Sequence, residues 1–143
     1  MKHMLTSVTL CITSDLTSPD YWTQYFGVEA DYVHRKGVPI ITPSGRVGSG
    51  NGRINSWVSS SEKHIKSEDL DEHLNYFVER LKLPRTDMPN VLANKLSDLL
   101  CFYSWNNFSG APCPYMTKGL LEKLAQSGIK LEDGMTLAQE TNP

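Results

Sequence analysis

Four cations bracket the stretch of this chain with the most chemical potential. Arg35 and Lys36 precede it, and Arg46 and Arg53 lie within Gly45-Arg46-Val47-Gly48-Ser49-Gly50-Asn51-Gly52-Arg53. Glycines beside cations are the ingredients of a phosphate cradle. Such a cradle aims backbone N–H groups at an anion, usually at a helix N-terminus, and continues into Lys and Ser/Thr. Here the glycines lead into a strand-like run, and no Gly-Lys-Ser/Thr follows. Turn residues needing positive φ account for the glycines more simply. The guanidinium groups still suit an acidic partner, because they bond carboxylates and phosphates through two parallel hydrogen bonds. A small-ligand or nucleotide module using this basic loop stays open as an alternative.

The other reactive side chains are scattered. His3, His34, His64 and His73 do not pair with each other or with cysteine at metal-ligand spacing. His34 sits beside the basic cluster, and His73 is expected half-exposed on a helix flank. Cys113 lies between two prolines, with no neighbouring base to activate it. No Gly-x-Ser-x-Gly elbow occurs, and Asp69, Asp71 and Glu72 are explained by the positive end of a helix. No catalytic residue, metal site or cofactor is therefore assigned. An enzyme whose residues meet only in the folded chain remains the second alternative. Trp57 and Trp105 fall on different strand-like runs flanked by polar residues, where an aromatic either packs in the core or forms a binding hot spot.

Composition narrows the class. Fourteen Lys+Arg against sixteen Asp+Glu give a net charge of -2, which disfavours nucleic acid and anionic lipid. Three cysteines without a Cys-x-x-Cys read as reduced thiols in a cytoplasmic protein. No apolar run approaches a signal peptide or a membrane span. The 143 residues suit a single domain, with the tail from residue 133 expected to fray.

The elements that must position these residues follow from periodicity. Val8, Leu10 and Ile12 alternate with polar residues as a half-buried strand. Ser18-Pro19 starts a helix with an aromatic stripe of Tyr21, Trp22, Tyr25 and Phe26, and Gly27 closes it. Residues 31–36 and 54–60 read as strands, and residues 38–53 between them as a long connection without strand or helix signal. Ser67 caps a second helix whose apolar stripe is Leu70, Leu74, Phe77, Val78 and Leu81. A third helix from Asp87 is expected to bury Val91, Leu92 and Leu96. Residues 99–105 form a strand with Cys101, Tyr103 and Trp105 on one face and Leu100 and Phe102 on the other. Thr117 caps a last helix with Leu120, Leu121, Leu124 and Ala125 inward, and Ile129 and Leu131 begin a final strand. Two strand-helix-strand units thus recur, which predicts an α+β, ferredoxin-like two-layer half-sandwich with an antiparallel sheet and helices mainly on one face. The first strand is expected at its centre. Leu10-Cys11 and Leu100-Cys101 hint at duplication.

The order of these short motifs resembles a bacterial family labelled domain of unknown function 4279. The residues carrying the resemblance are Ser14-Asp15-Leu16-Thr17-Ser18-Pro19, Phe26-Gly27-Val28, Lys36-Gly37, Trp57, the acidic helix of residues 70–81, and the closing run of residues 120–131. The resemblance implies no enzymatic activity. It implies an immunity-like role, in which a small bacterial protein neutralises a cognate toxin or effector by direct contact. Joined to the residues above, it points to a protein partner, with homo-oligomers left open. The candidate partner-binding residues are Arg35, Lys36, Arg46, Arg53, Trp57 and Trp105.

Overall fold

Buried side chains of β1 (Ser7–Ser14) set the architecture. Val8, Leu10 and Ile12 are each 1% exposed, while Thr9, Cys11 and Thr13 on the other side are only half-buried. That alternation gives the sheet one face for the core. The computed structural model describes residues 6–41, 47–105 and 116–134. The order after β1 is α1 (Pro19–Phe26), β2 (Tyr32–His34), β3 (Pro39–Ile41), β4 (Val47–Asn51) and β5 (Asn55–Ser60). Then come α2 (Leu70–Arg80), α3 (Met88–Asn94), β6 (Ser97–Ser104), α4 (Lys118–Gln126) and β7 (Leu131–Asp133).

Five strands form an open sheet in the order β2-β5-β1-β6-β7, with β1 at the centre as expected. β1 is antiparallel to both β5 and β6, and β2 is antiparallel to β5. β7 runs parallel to β6, which corrects the expectation of a wholly antiparallel sheet. The cause is α4: a helix between two neighbouring strands carries the chain back to its starting end, so the second strand repeats the direction of the first. A second correction concerns the long connection. β3 and β4 pair within it as a two-stranded antiparallel ribbon.

One hydrophobic cluster joins the inward face of the sheet to all four helices. It includes Val8, Leu10, Ile12, Trp57 and Cys101 from strands, Trp22 and Phe26 from α1, and Leu74 and Phe77 from α2. Met88 and Leu92 of α3 and Leu124 of α4 complete it. The α2 stripe is buried as predicted, at 0%, 0%, 1%, 7% and 0% for Leu70, Leu74, Phe77, Val78 and Leu81. Its N-cap is Asp69 rather than Ser67, whose hydroxyl instead accepts from the Asp69 N–H. Ala125 is exposed, so the inward stripe of α4 is narrower than expected. Leu96 is 67% exposed rather than buried, because α3 ends before it.

Each of the four helices ends in a left-handed residue: Gly27, Lys82, Leu96 and Gly128. Glycine takes that conformation freely, whereas lysine and leucine do so at a cost. The Leu-Cys repeat is no duplicated register. Leu10 faces Cys101 across the ladder and Cys11 faces Leu100. Leu10 is therefore inward and Leu100 outward, the reverse of what copied strands would give.

His73 corrects another expectation. It is completely buried on the α2 stripe. Its Nε2 lies 2.7 Å from the Ser67 carbonyl, which can only accept, so Nε2 carries the proton. Nδ1 then accepts from the Ser61 hydroxyl at 2.6 Å, and Ser61 Oγ accepts from the Val8 N–H. A buried imidazole needs this full set of partners. The pair pins residues 61–67 between the sheet and α2.

The start of β2 is held to the same loop by Asp31. Its carboxylate accepts from the Ser60 N–H at 2.8 Å and pairs with His64 Nε2 at 2.6 Å. The His64 ring stacks on Tyr76. Partial burial disfavours the charged carboxylate. The His64 and Ser60 hydrogen bonds, with the His64 and Arg80 charges, outweigh that and hold Asp31 below its ordinary range.

Two outcomes follow for this core. Phe77→Ala should cost about 3–5 kcal/mol in chemical denaturation, the usual range for a buried phenyl group, and a loss under about 1 kcal/mol would contradict the packing. Because the folded pKa of Asp31 is depressed, its stabilisation is present above the unfolded value near 3.8 and lost as pH falls through the folded one. Asp31→Asn should thus lower the melting temperature at pH 7, and the gap from the native chain should shrink as the pH falls below the unfolded value. A gap constant across that fall would show that the carboxylate charge is not what matters.

Candidate functional site at one end of the sheet

Ser14, the last residue of β1, pairs with Asn55 at the start of β5 and Ser97 at the start of β6. Three connections therefore leave the sheet at this end, and the Ser14 side chain ties two of them together. Its buried hydroxyl lies 3.0 Å from the Leu96 carbonyl and accepts from the Leu16 and Thr17 N–H groups at 3.2 and 3.0 Å. Thr17 Oγ1 donates to the Lys95 carbonyl at 2.7 Å. Residues 15–17 and 95–96 are thereby stapled to each other.

The third connection joins them through Asn55, whose Oδ1 accepts from the Lys36 N–H at 2.8 Å. The base of the β3–β4 ribbon closes here, with Gly37 N–H donating to the Gly52 carbonyl and Gly52 N–H to the Val38 carbonyl. Glycine suits this closure at position 52, since a Cβ there would stand 3.2 Å from the Arg35 carbonyl, tighter than ordinary contact.

Four apolar side chains from these connections are left facing out. Leu16 is 75% exposed, Leu96 67%, Val38 46% and Ile54 36%. Tyr32 and Val33 on the neighbouring edge strand are also exposed. Only Leu100, in the middle of β6, completes the set of seven exposed large hydrophobic residues among those described. Tyr32, Val33, His34, Arg35, Val38 and Pro39 line a shallow cavity of about 190 Å³ beside the ribbon. Tyr32 and His34 hydrogen-bond to each other through the phenol and Nε2.

The cations predicted to bind a partner are mostly committed within the chain. Arg35 makes a two-pronged contact with Asp20, at 3.0 and 2.8 Å, and reaches the Ser18 hydroxyl. The guanidinium holds the Asp20 carboxyl below its usual range. Lys36 Nζ lies 3.3 Å from Asp15. Both pairs are exposed, so each adds little stability, but their charges are locally neutralised. Arg53 is exposed and forms no ion pair with a described residue. Arg46 lies outside the described residues.

The tryptophans separate from the cations. Trp57 is 0% exposed, its Nε1 donates to Thr23 Oγ1 at 3.0 Å, and its ring lies 5.1 Å from that of Phe26. It supports this end from behind and presents no surface to a partner, because β5 turns it inward onto the core. Trp105 follows Ser104, which pairs with Ser7 at the other end of the sheet. It therefore belongs to a different surface, half-buried, with an indole N–H that has no hydrogen-bond partner among the described residues.

Leu16 and Leu96 are the members that sequence reasoning missed. Leu16 was visible only as an unremarkable residue in a connection, and Leu96 sat in phase with the α3 stripe. For the alternatives, the geometry gives the following. Gly48 and Gly50 belong to β4 and lead to β5, not to a helix N-terminus. Burial raises the Cys11 thiol and pushes Cys101 up to about 12. No group of three or more potential metal ligands occurs among the described residues, and no helix there is long and apolar enough to cross a membrane.

Leu96 has a φ of 49° and packs little, so it carries a backbone cost without burial in return. Relief of that conformation is worth roughly 1–2 kcal/mol, and the added freedom of unfolded glycine takes back about 0.5–1. Leu96→Gly should therefore be neutral to stabilising by up to about 1 kcal/mol in denaturant melts. A loss above about 1 kcal/mol would assign Leu96 a structural role.

No curated protein matches the chain, and no solved structure does. A family model matches residues 3–134, nearly the whole length, and the chain belongs to that family, described as a domain of unknown function (DUF4279).

Proposed function

We propose that this chain is a protein-binding domain without catalytic chemistry of its own, and that it neutralises a toxin or effector by direct contact. The contact surface is the sheet end bearing Leu16, Val38, Ile54 and Leu96. The single observation carrying this reading is that convergence: the connections meeting at one end expose four apolar side chains, and one of these, Leu96, is held in a strained conformation. Clustered exposed apolar groups mark interaction sites, and backbone strain that serves no packing points to function.

The scaffold in this reading is a ferredoxin-like half-sandwich extended by one strand. Support comes from the order strand-helix-strand-strand-helix-strand of β1, α1, β2, β5, α2 and β6, with the spatial order β6-β1-β5-β2. β3–β4 is then an insertion, α3 an added helix before β6, and α4–β7 an added parallel edge. The free thiols of Cys11 and Cys101 fit a reducing, cytoplasmic setting.

The test is capture of the tagged chain's partner from its native host, read by mass spectrometry, beside the Leu16→Asp/Leu96→Asp double variant. Both side chains are exposed, so the variant should melt within a few degrees of the native chain. Its partner capture should fall by roughly tenfold or more, as hot-spot losses do. Undiminished capture would remove the sheet end as the surface. A captured protein that does not arrest growth when expressed alone would remove the toxin.

A further inference from the structure

We infer that the partner surface fitting this sheet end is acidic around an apolar centre. The inference deepens the protein-binding reading above and rests on it. Once the internal pairs Arg35–Asp20 and Lys36–Asp15 are set aside, the charges left at this end are mainly positive. Arg53 projects from the ribbon base beside Ile54. Lys95 precedes Leu96 and lies 4.6 Å from the centre of the Tyr21 ring, an exposed cation held at the rim. Asp98, exposed on the outward face of β6, is a carboxylate set against them. The connection from residue 37 to residue 54 holds two arginines and no Asp or Glu anywhere along it.

A denser group of carboxylates lies elsewhere, on and before α2. Asp71, Glu72 and Glu79 of α2 line a broad, shallow cavity with Tyr76, and Glu68 and Asp69 precede them. A net-acidic protein therefore turns a cationic, apolar end outward. Two such ends facing each other would oppose like charges, so an isologous pairing of copies is disfavoured. An acidic partner meets complementary charge at the rim and apolar groups at the centre, the arrangement that speeds encounter and fixes orientation.

A phage-displayed random peptide library, selected on the full chain at low salt, tests this directly. Selected sequences should place Asp or Glu beside Leu, Phe or Trp. A synthetic copy of the winning peptide should shift the amide resonances of residues 15–17, 36–38, 52–54 and 95–97. Its affinity should fall roughly tenfold when salt rises from about 50 to about 500 mM, and by a similar factor in Arg53→Ala/Lys95→Ala. Leu16→Asp/Leu96→Asp should abolish it. Neutral or basic winners that still need Leu16 and Leu96, or salt-independent binding, would overturn the acidic partner and leave the protein-binding surface standing. Winners mapping elsewhere, or no enrichment over the Leu16→Asp/Leu96→Asp control, would overturn both. Sedimentation showing self-association that the leucine variant abolishes would make a second copy the occupant and also overturn the inference.

Discussion

Everything in this fold is registered to β1. It is paired along its whole length with β6 and from Thr9 onward with β5 as well, so each residue from Thr9 to Ser14 fixes a partner on both neighbours. Its inward residues form the floor of the core, and the helices can cover only that face. Its two ends then divide the labour. At one end Ser61 and His73 fasten the α2 approach to Val8 through a closed set of buried hydrogen bonds. At the other, a single hydroxyl, that of Ser14, serves two N–H groups and reaches the carbonyls of Lys95 and Leu96. Unpaired buried polar groups cost more than paired ones return. Such a group therefore dictates where its connections run.

That constraint explains why the exposed leucines stay exposed. The backbone of residues 14–17 and 95–96 is consumed by the Ser14 and Thr17 bonds, so the chain cannot fold back to cover Leu16 or Leu96. The loops are rigidly placed while their apolar groups face outward. A preorganised surface loses less conformational entropy on binding than a mobile one. The two internal ion pairs act in the same direction, orienting the 35–36 backbone at the ribbon base while each neutralises its own charges.

Much of this was legible in the sequence, and the rest was hidden for specific reasons. The α2 stripe, the β1 alternation and the α1 caps all repeat at a period that only one element satisfies. The central place of β1 followed from its uninterrupted alternation. Trp57 was ambiguous because Asn55 and Ser56 are polar, and alternation alone does not say which face a strand buries. His73 was read as half-exposed because histidine is amphipathic, and its partners, Ser61 and the Ser67 carbonyl, come from outside the helix. Leu96 continued the α3 pattern by spacing, but the helix stops at Asn94 and the left-handed turn rotates the next side chain outward. The β3–β4 pairing was masked by glycines, which weaken strand signals without forbidding strands. The basic cluster was visible, but not its neutralisation, since Asp15 and Asp20 lie before and within α1.

The two non-glycine helix ends sharpen the distinction between structure and use. Lys82 and Leu96 adopt the same left-handed turn that glycine provides at Gly27 and Gly128. A lysine there keeps its ammonium in water and costs only backbone strain. A leucine there adds exposed apolar surface to that strain, and nothing among the described residues offsets either. Marginal stability makes such a double cost significant, since one or two kcal/mol is a sizeable share of a domain's total. Exposed apolar surface, without the strain, appears a second time at Leu16, on a different connection but at the same end, tied by the same serine. Within the monomer these are two unrelated defects. Against a partner that covers the sheet end they become one feature, with the hydroxyl of Ser14 as its common support.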